Sequence, residues 1–122
     1  MPINSASCNF NWMPEDFSLK DLNNNTLNFY NCFGEKGLLV MFICNHCPYV
    51  KSIEKKIKYE TDMLLSIGIK SVAIMSNDQE TYIEDSTDRL KKQFSDNNFN
   101  LPYLIDFDQS IAKKFQALCT PE

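Results

Sequence analysis

Long apolar runs are what this sequence lacks most plainly. The longest, Leu38 to Cys44, has the length of a strand. It falls far short of the roughly 20 residues that cross a bilayer as a helix, so no membrane span is expected. Met1 to Phe10 has no basic stretch and no apolar segment, so no secretory signal is read there. Cys8, lacking such a segment before it, is a poor site for a lipid anchor. Positive charge is also scarce. Lysine and arginine total 12 against 16 acidic residues, a net charge of −4. That balance argues against a nucleic-acid groove and against a polybasic membrane patch. Only three glycines occur, which excludes collagen-like and glycine-linker architectures. Eleven lysines to one arginine, with thirteen asparagines, read as compositional bias and point to no function.

What is present suffices for one core. Apolar residues make up 43% and aromatics 12% of 122 residues, which excludes a disordered chain and fits one domain, 1–122. Five cysteines is an odd number, unsuited to a disulfide framework. With no targeting segment, the expected compartment is the reducing cytoplasm, where cysteines fill cores, hold metals or do redox chemistry.

Asn23-Asn24-Asn25 is a polar turn between Phe17-Ser18-Leu19 and Leu27-Asn28-Phe29, both alternating, which predicts an N-terminal β-hairpin. Gly34 to Gly37 is the next turn. Leu38 to Ile43 is continuously apolar, as in a strand buried on both faces of a parallel sheet. After Pro48, the spacing of Val50, Ile53, Ile57, Leu64 and Ile67 predicts a helix, stopped by Gly68. Ile69 to Ser76 reads as a second strand. A helix is predicted within Asp85 to Asp96, with Leu90 and Phe94 inward, and a short strand at Tyr103-Leu104-Ile105. Ser110 is expected to cap a last helix carrying Ile111, Phe115 and Leu118. Strand–helix–strand order implies an α/β fold with a parallel core.

The chemistry concentrates in Phe42 to Lys51, where a buried strand meets a helix. Two cysteines and the only histidine fall there: Cys44, His46 and Cys47. Pro48 suits the first helical turn, which puts Cys47 at or beside the N-cap. Free backbone N–H groups and the helix dipole favour a thiolate there, and a protonated His46 would add to this. A thiolate is the nucleophile for disulfide exchange and for attack on peroxides. The plainer alternative is that both cysteines are small core residues. A zinc site would need Cys44, Cys47, His46 and the distant Cys119 together, and no second close Cys/His pair supports it, so no metal is expected.

These residues resemble the thioredoxin-like superfamily, and more closely the peroxiredoxin-like branch of the alkyl hydroperoxide reductase/thiol-specific antioxidant (AhpC/TSA) family. The resemblance also runs through Pro14 to Asp21, Val72 to Asp78 and Leu101 to Glu122, in the same order. Aligned on the thioredoxin motif, Cys47 falls on the nucleophilic cysteine and Val50 on the resolving one. Aligned on the peroxiredoxin motif, Cys44 and Val40 stand where the family pattern has Thr and Pro. The family's catalytic arginine lies later than Glu122, and nothing equates Arg89 with it.

The resemblance implies a thioredoxin-like fold with an N-terminal β-hairpin, a parallel strand core and flanking helices. It implies a cis bond at Thr120-Pro121 facing Cys47, with Cys119 brought near as a resolving or mixed-disulfide partner. Cys44 is the other candidate resolver, provided the turn through Asn45-His46 curls, since three extended residues would hold Cys44 and Cys47 roughly 10 Å apart. Cys8 and Cys32 are expected to be structural. The implied activity is thiol-based oxidoreduction without a cofactor, on a protein disulfide or a hydroperoxide, with an external thiol as reductant. The alternative is a non-catalytic binding module of the same fold. The complete fold continues past the cis-proline into a β-hairpin and a helix, which this chain is expected to lack. The Leu38–Cys44 strand is then expected to be a bare sheet edge. A shortened gene, a homodimer through that edge and a strand-donating partner are the three explanations.

Overall fold

The structure, a computed structural model, describes residues 9–122. The expectations for Met1 to Cys8, including the role of Cys8, lie outside the described residues. The hairpin forms as expected. β1 (Ser18–Asp21) pairs antiparallel with β2 (Thr26–Asn28) in the register Leu19 with Leu27. The Asp21 carboxylate closes the turn by accepting the N–H groups of Asn23 and Asn25. A single 3-10 turn, Phe29–Cys32, follows, and the Cys32 thiol donates to the Asn28 carbonyl within the core.

The sheet is completed by β3 (Gly37–Phe42), β4 (Ile69–Met75) and β5 (Tyr103–Ile105), in the order β2-β1-β5-β4-β3. β3, β4 and β5 are parallel, with Val40 beside Val72 and Ile74 beside Leu104, and β1 runs antiparallel to β5. Between β3 and β4 runs the long helix α1 (Pro48–Ser66), and between β4 and β5 runs α2 (Thr87–Asp96). The short α3 (Ser110–Lys114) follows β5.

Alternation along the strands divides the core between two faces. Ile43, Ala73, Met75, Tyr103 and Ile105 meet Val50 and Ile57 of α1 and Leu90 of α2. Phe42, Val72, Ile74 and Leu104 meet Ile111 of α3, with Phe17, Leu19 and Phe115 against them. Helices cover both sides of a mixed sheet, the α/β architecture that the resemblance implied.

Burial on both faces describes β4, not β3. β4 is buried from Ser71 to Met75, whereas β3 is the edge strand and Leu39 is 36% exposed. Hydrophobic sequence alone does not tell a central strand from an edge one. Two helix ends also differ from the expectation. Ile67 is the C-cap of α1 and 55% exposed, beyond the last turn that faces the sheet. α3 ends at Lys114 and Gln116 has a φ of 57°, so Leu118 leaves the helical face and is 53% exposed. Ser110 is not the cap of α3. The buried Asp106 takes that part, accepting the N–H groups of Ile111 and Ala112 and the hydroxyl of Ser76.

Candidate active site

β3 ends at Phe42, and the chain bends at Asn45 and His46 before α1 begins at Pro48. Cys47 is the N-cap of α1, at the free N–H groups of the helix's first turn. Proline at the next position gives up no hydrogen bond there. Burial pushes the Cys47 thiol up. The N–H of Val50, the Thr120 side chain, the N–H of Tyr49 and the Cys44 side chain outweigh it, and the thiol lies below its ordinary value. When protonated, Cys47 Sγ donates to the Thr120 carbonyl at 3.5 Å.

Cys44 has the opposite character. It is fully buried, and burial pushes its thiol up, with the Asp85 charge adding to this. Bonds from Thr120 and from the Cys47 backbone only partly offset the rise. Its Sγ lies 3.5 Å from Thr120 Oγ1. Thr120 thus touches both cysteines, and the Thr120-Pro121 bond is cis. The chain returns to β3 immediately afterwards, where Phe42 and Glu122 exchange backbone bonds of 3.0 and 3.1 Å.

The turn curls because of a residue that sequence reasoning missed. Asp85, fully buried in a single 3-10 turn before α2, accepts the N–H of Asn45 at 2.6 Å and of His46 at 3.1 Å on one oxygen. Its other oxygen accepts His46 Nδ1 at 2.5 Å and Asn77 Nδ2 at 3.2 Å. The His46 ring stacks on Tyr82 at 4.2 Å, nearly parallel at 5°. His46 therefore turns to Asp85 and Tyr82, and it is not among the groups that lower the Cys47 thiol. Asp85 lies 40 positions from Asn45, beyond any local spacing signal.

A cleft of about 520 Å³ opens beside Cys47, walled by His46, Tyr49, Leu118, Cys119 and Thr120 among others. Cys119 thus faces the same cleft, and its thiol donates to Glu122 at 3.0 Å. The structure brings Cys44, His46, Cys47 and Thr120 together and sets Cys119 across the opening. Cys44, His46 and Asp85 hold their donor atoms within 4.8 Å of one another. Three such atoms fall one short of the four that a structural zinc takes, and His46 and Asp85 are already bonded to each other.

A cysteine N-cap beside a cis-proline suits the thioredoxin-like fold, and the family model decides the family: AhpC/TSA matches residues 13–122. The chain belongs to the AhpC/TSA family. A crystal structure of an uncharacterised conserved protein from Geobacillus kaustophilus is 34% identical with a TM-score of 0.83, over 91% of this chain and 62% of that one. A hypothetical protein from Sinorhizobium meliloti 1021 is 32% identical with a TM-score of 0.87, over 96% of this chain and 64% of that one. This AhpC/TSA chain therefore spans somewhat under two thirds of the length of both. Peroxidoxin BcpB from Mycobacterium tuberculosis shares the thioredoxin-like fold at 16% identity, with a TM-score of 0.65 over 83% of this chain and 61% of that one. Among curated proteins, none matches this chain. Among the described residues, no helix is long and apolar enough to cross a membrane.

Proposed function

We propose that this AhpC/TSA chain is a thiol–disulfide exchange enzyme with Cys47 as nucleophile and Cys44 as resolver. The observation that carries this reading is a pair of thiols that both meet Thr120 and have opposite character. Cys47 is lowered and borders a cleft, and Cys44 is raised and fully buried. The exposed thiolate attacks one sulfur of a substrate disulfide. The S–S bond breaks, a Cys47 mixed disulfide forms, and the second substrate sulfur leaves as a thiolate. Cys44 then loses its proton and attacks Cys47 Sγ, closing the Cys44–Cys47 disulfide and releasing the first substrate sulfur. The substrate is reduced by two electrons and the protein oxidised by two. An external dithiol, in a reducing cytoplasm, returns it to the start.

Exchange is favoured over peroxide reduction because Cys44 stands where peroxiredoxins place a Thr. The one arginine, Arg89, reaches the site through its carbonyl, which accepts from Asn45 Nδ2 at 3.4 Å. The test follows insulin reduction and dimedone trapping in parallel. Exchange predicts that the protein precipitates insulin, that Cys47→Ser abolishes this, and that Cys47 traps little dimedone under peroxide. Stoichiometric trapping with no insulin reduction would make the chain a peroxidase. Full activity in Cys47→Ser would leave this reading without its nucleophile. Absence of both insulin reduction and dimedone trapping in the unaltered protein would favour the binding module.

A further inference from the structure

Resolution poses a chemical problem that Cys47 does not solve. Cys44 is fully buried, so near neutral pH it is held as the thiol. Only the thiolate attacks a disulfide. Some group must take its proton at the moment of attack. Resting on the exchange reading above, we propose that His46 is that base and that Asp85 is the positioning residue that orients it.

The geometry puts a ring nitrogen of His46, a carboxylate oxygen of Asp85 and Cys44 Sγ within 4.8 Å of one another. The Nδ1–Oδ2 bond fixes the ring on one side and the Tyr82 stack fixes its plane. Asp85 also balances the imidazolium that forms when the proton arrives. The general arrangement is a nucleophile, a base and a buried carboxylate that holds the base. The His46 side chain is 28% exposed and walls the cleft, so the proton can pass on to water. In the step itself the Cys44 S–H proton moves to the imidazole, the Cys44–Cys47 S–S bond forms, and the Cys47–substrate S–S bond breaks.

The Asp85 carboxylate lies within the same 4.8 Å of Cys44 Sγ and is the one competing base, which His46→Ala leaves in place. The other ionisable groups around the pair offer none. Tyr103 of β5 interacts with the Cys44 and Asp85 charges, and burial raises its hydroxyl well above its ordinary value, so it stays neutral. Glu54 of α1 reaches the Cys44 carbonyl only through Gln93, and Lys51 pairs with Glu54 at 3.4 Å. Cys47 is consumed in the mixed disulfide. Lys113 of α3 lines the cleft, which does not reach the buried Cys44.

Stopped-flow mixing of the reduced full chain with 5,5′-dithiobis(2-nitrobenzoate) separates the two displacements. Thionitrobenzoate leaves once when Cys47 attacks and again when Cys44 resolves, and Cys44→Ser marks the second phase by losing it. Asp85→Asn keeps the oxygen that accepts the Asn45 and His46 N–H groups and removes the charge. It should slow the second phase at least about tenfold near pH 6.5, in keeping with the usual weight of a general base, and change the first by less than about threefold. The deficit should close as the pH rises toward the raised value of Cys44, where hydroxide does the work. A second phase left unchanged, or slowed equally at every pH, overturns the proposal. His46→Ala, which leaves the Asp85 carboxylate in place, is measured beside it, and an unslowed second phase there would assign the proton to Asp85 and overturn the proposal. Added imidazole should restore its second phase, and failure to do so overturns the proposal. Unaltered protein that shows no first phase at Cys47 would instead overturn the exchange reading, and this one with it.

Discussion

Cys47 and Cys44 have identical side chains, and their surroundings give them opposite chemistry. Burial opposes ionisation in both, and only at Cys47 do the N–H groups of Val50 and Tyr49 outnumber it. The sign for pH follows. The folded protein favours the Cys47 thiolate, so alkylation by iodoacetamide should rise with a midpoint below the ordinary thiol value of about 8.5. Cys44 should be alkylated only at higher pH, or after unfolding. A Cys47 midpoint at or above the ordinary value would remove the basis of its reactivity. Thr120→Val tests the shared partner. Valine keeps the branched shape and removes a hydroxyl worth about 0.5–1.5 kcal/mol as a hydrogen bond. The Cys47 midpoint should move up by up to about one pH unit, while the far-ultraviolet circular dichroism stays unchanged. An unmoved midpoint would reduce Thr120 to its backbone carbonyl.

Elements with a strong period were legible in the sequence, and contacts between distant segments were not. The hairpin, β4 and α1 follow alternation or helical spacing, and Cys47 as N-cap follows from Pro48. The start of α3 was misread because Asp106, four positions before Ser110, supplies the acceptor that Ser110 was expected to supply. The curl of the Cys44–Cys47 turn was left open because its cause, Asp85, comes from another element. Gly34 is a similar case of packing that spacing does not reveal. A Cβ there would lie 2.5 Å from the Gly68 carbonyl and 2.8 Å from the Lys70 N, both backbone atoms that cannot swing aside. Gly34→Ala should therefore force apart the turn before β3 and the start of β4. The expected cost is about 1–3 kcal/mol, read as a lower urea midpoint with an unchanged slope. An unaltered midpoint would mean the two turns separate freely.

At the scale of the whole molecule, the open question is the outer edge of β3. Residues alternate in direction along this strand. The Ile43 N–H donates inward to the Ile74 carbonyl, whereas Phe42 bonds outward to Glu122. Leu38 and Val40 share the parity of Phe42, so their N–H and C=O groups also point outward, on the side of β3 away from β4. A row of such groups beside apolar side chains is a template for another strand. A second copy of this 122-residue chain carries the same edge, and antiparallel pairing of two β3 strands satisfies both rows. Sedimentation velocity under reductant, from about 1 to 100 µM, should show a weight-average mass that climbs with concentration, in the range where exposed edges associate. Leu39→Lys should suppress the climb, because a lysine on an edge strand resists a partner and Leu39 is already 36% exposed. A monomer across the whole range would show that the Phe42–Glu122 pairing alone blunts the edge. A climb that appears only when reductant is omitted would be covalent, through thiols such as Cys47, and the edge would have no part in it.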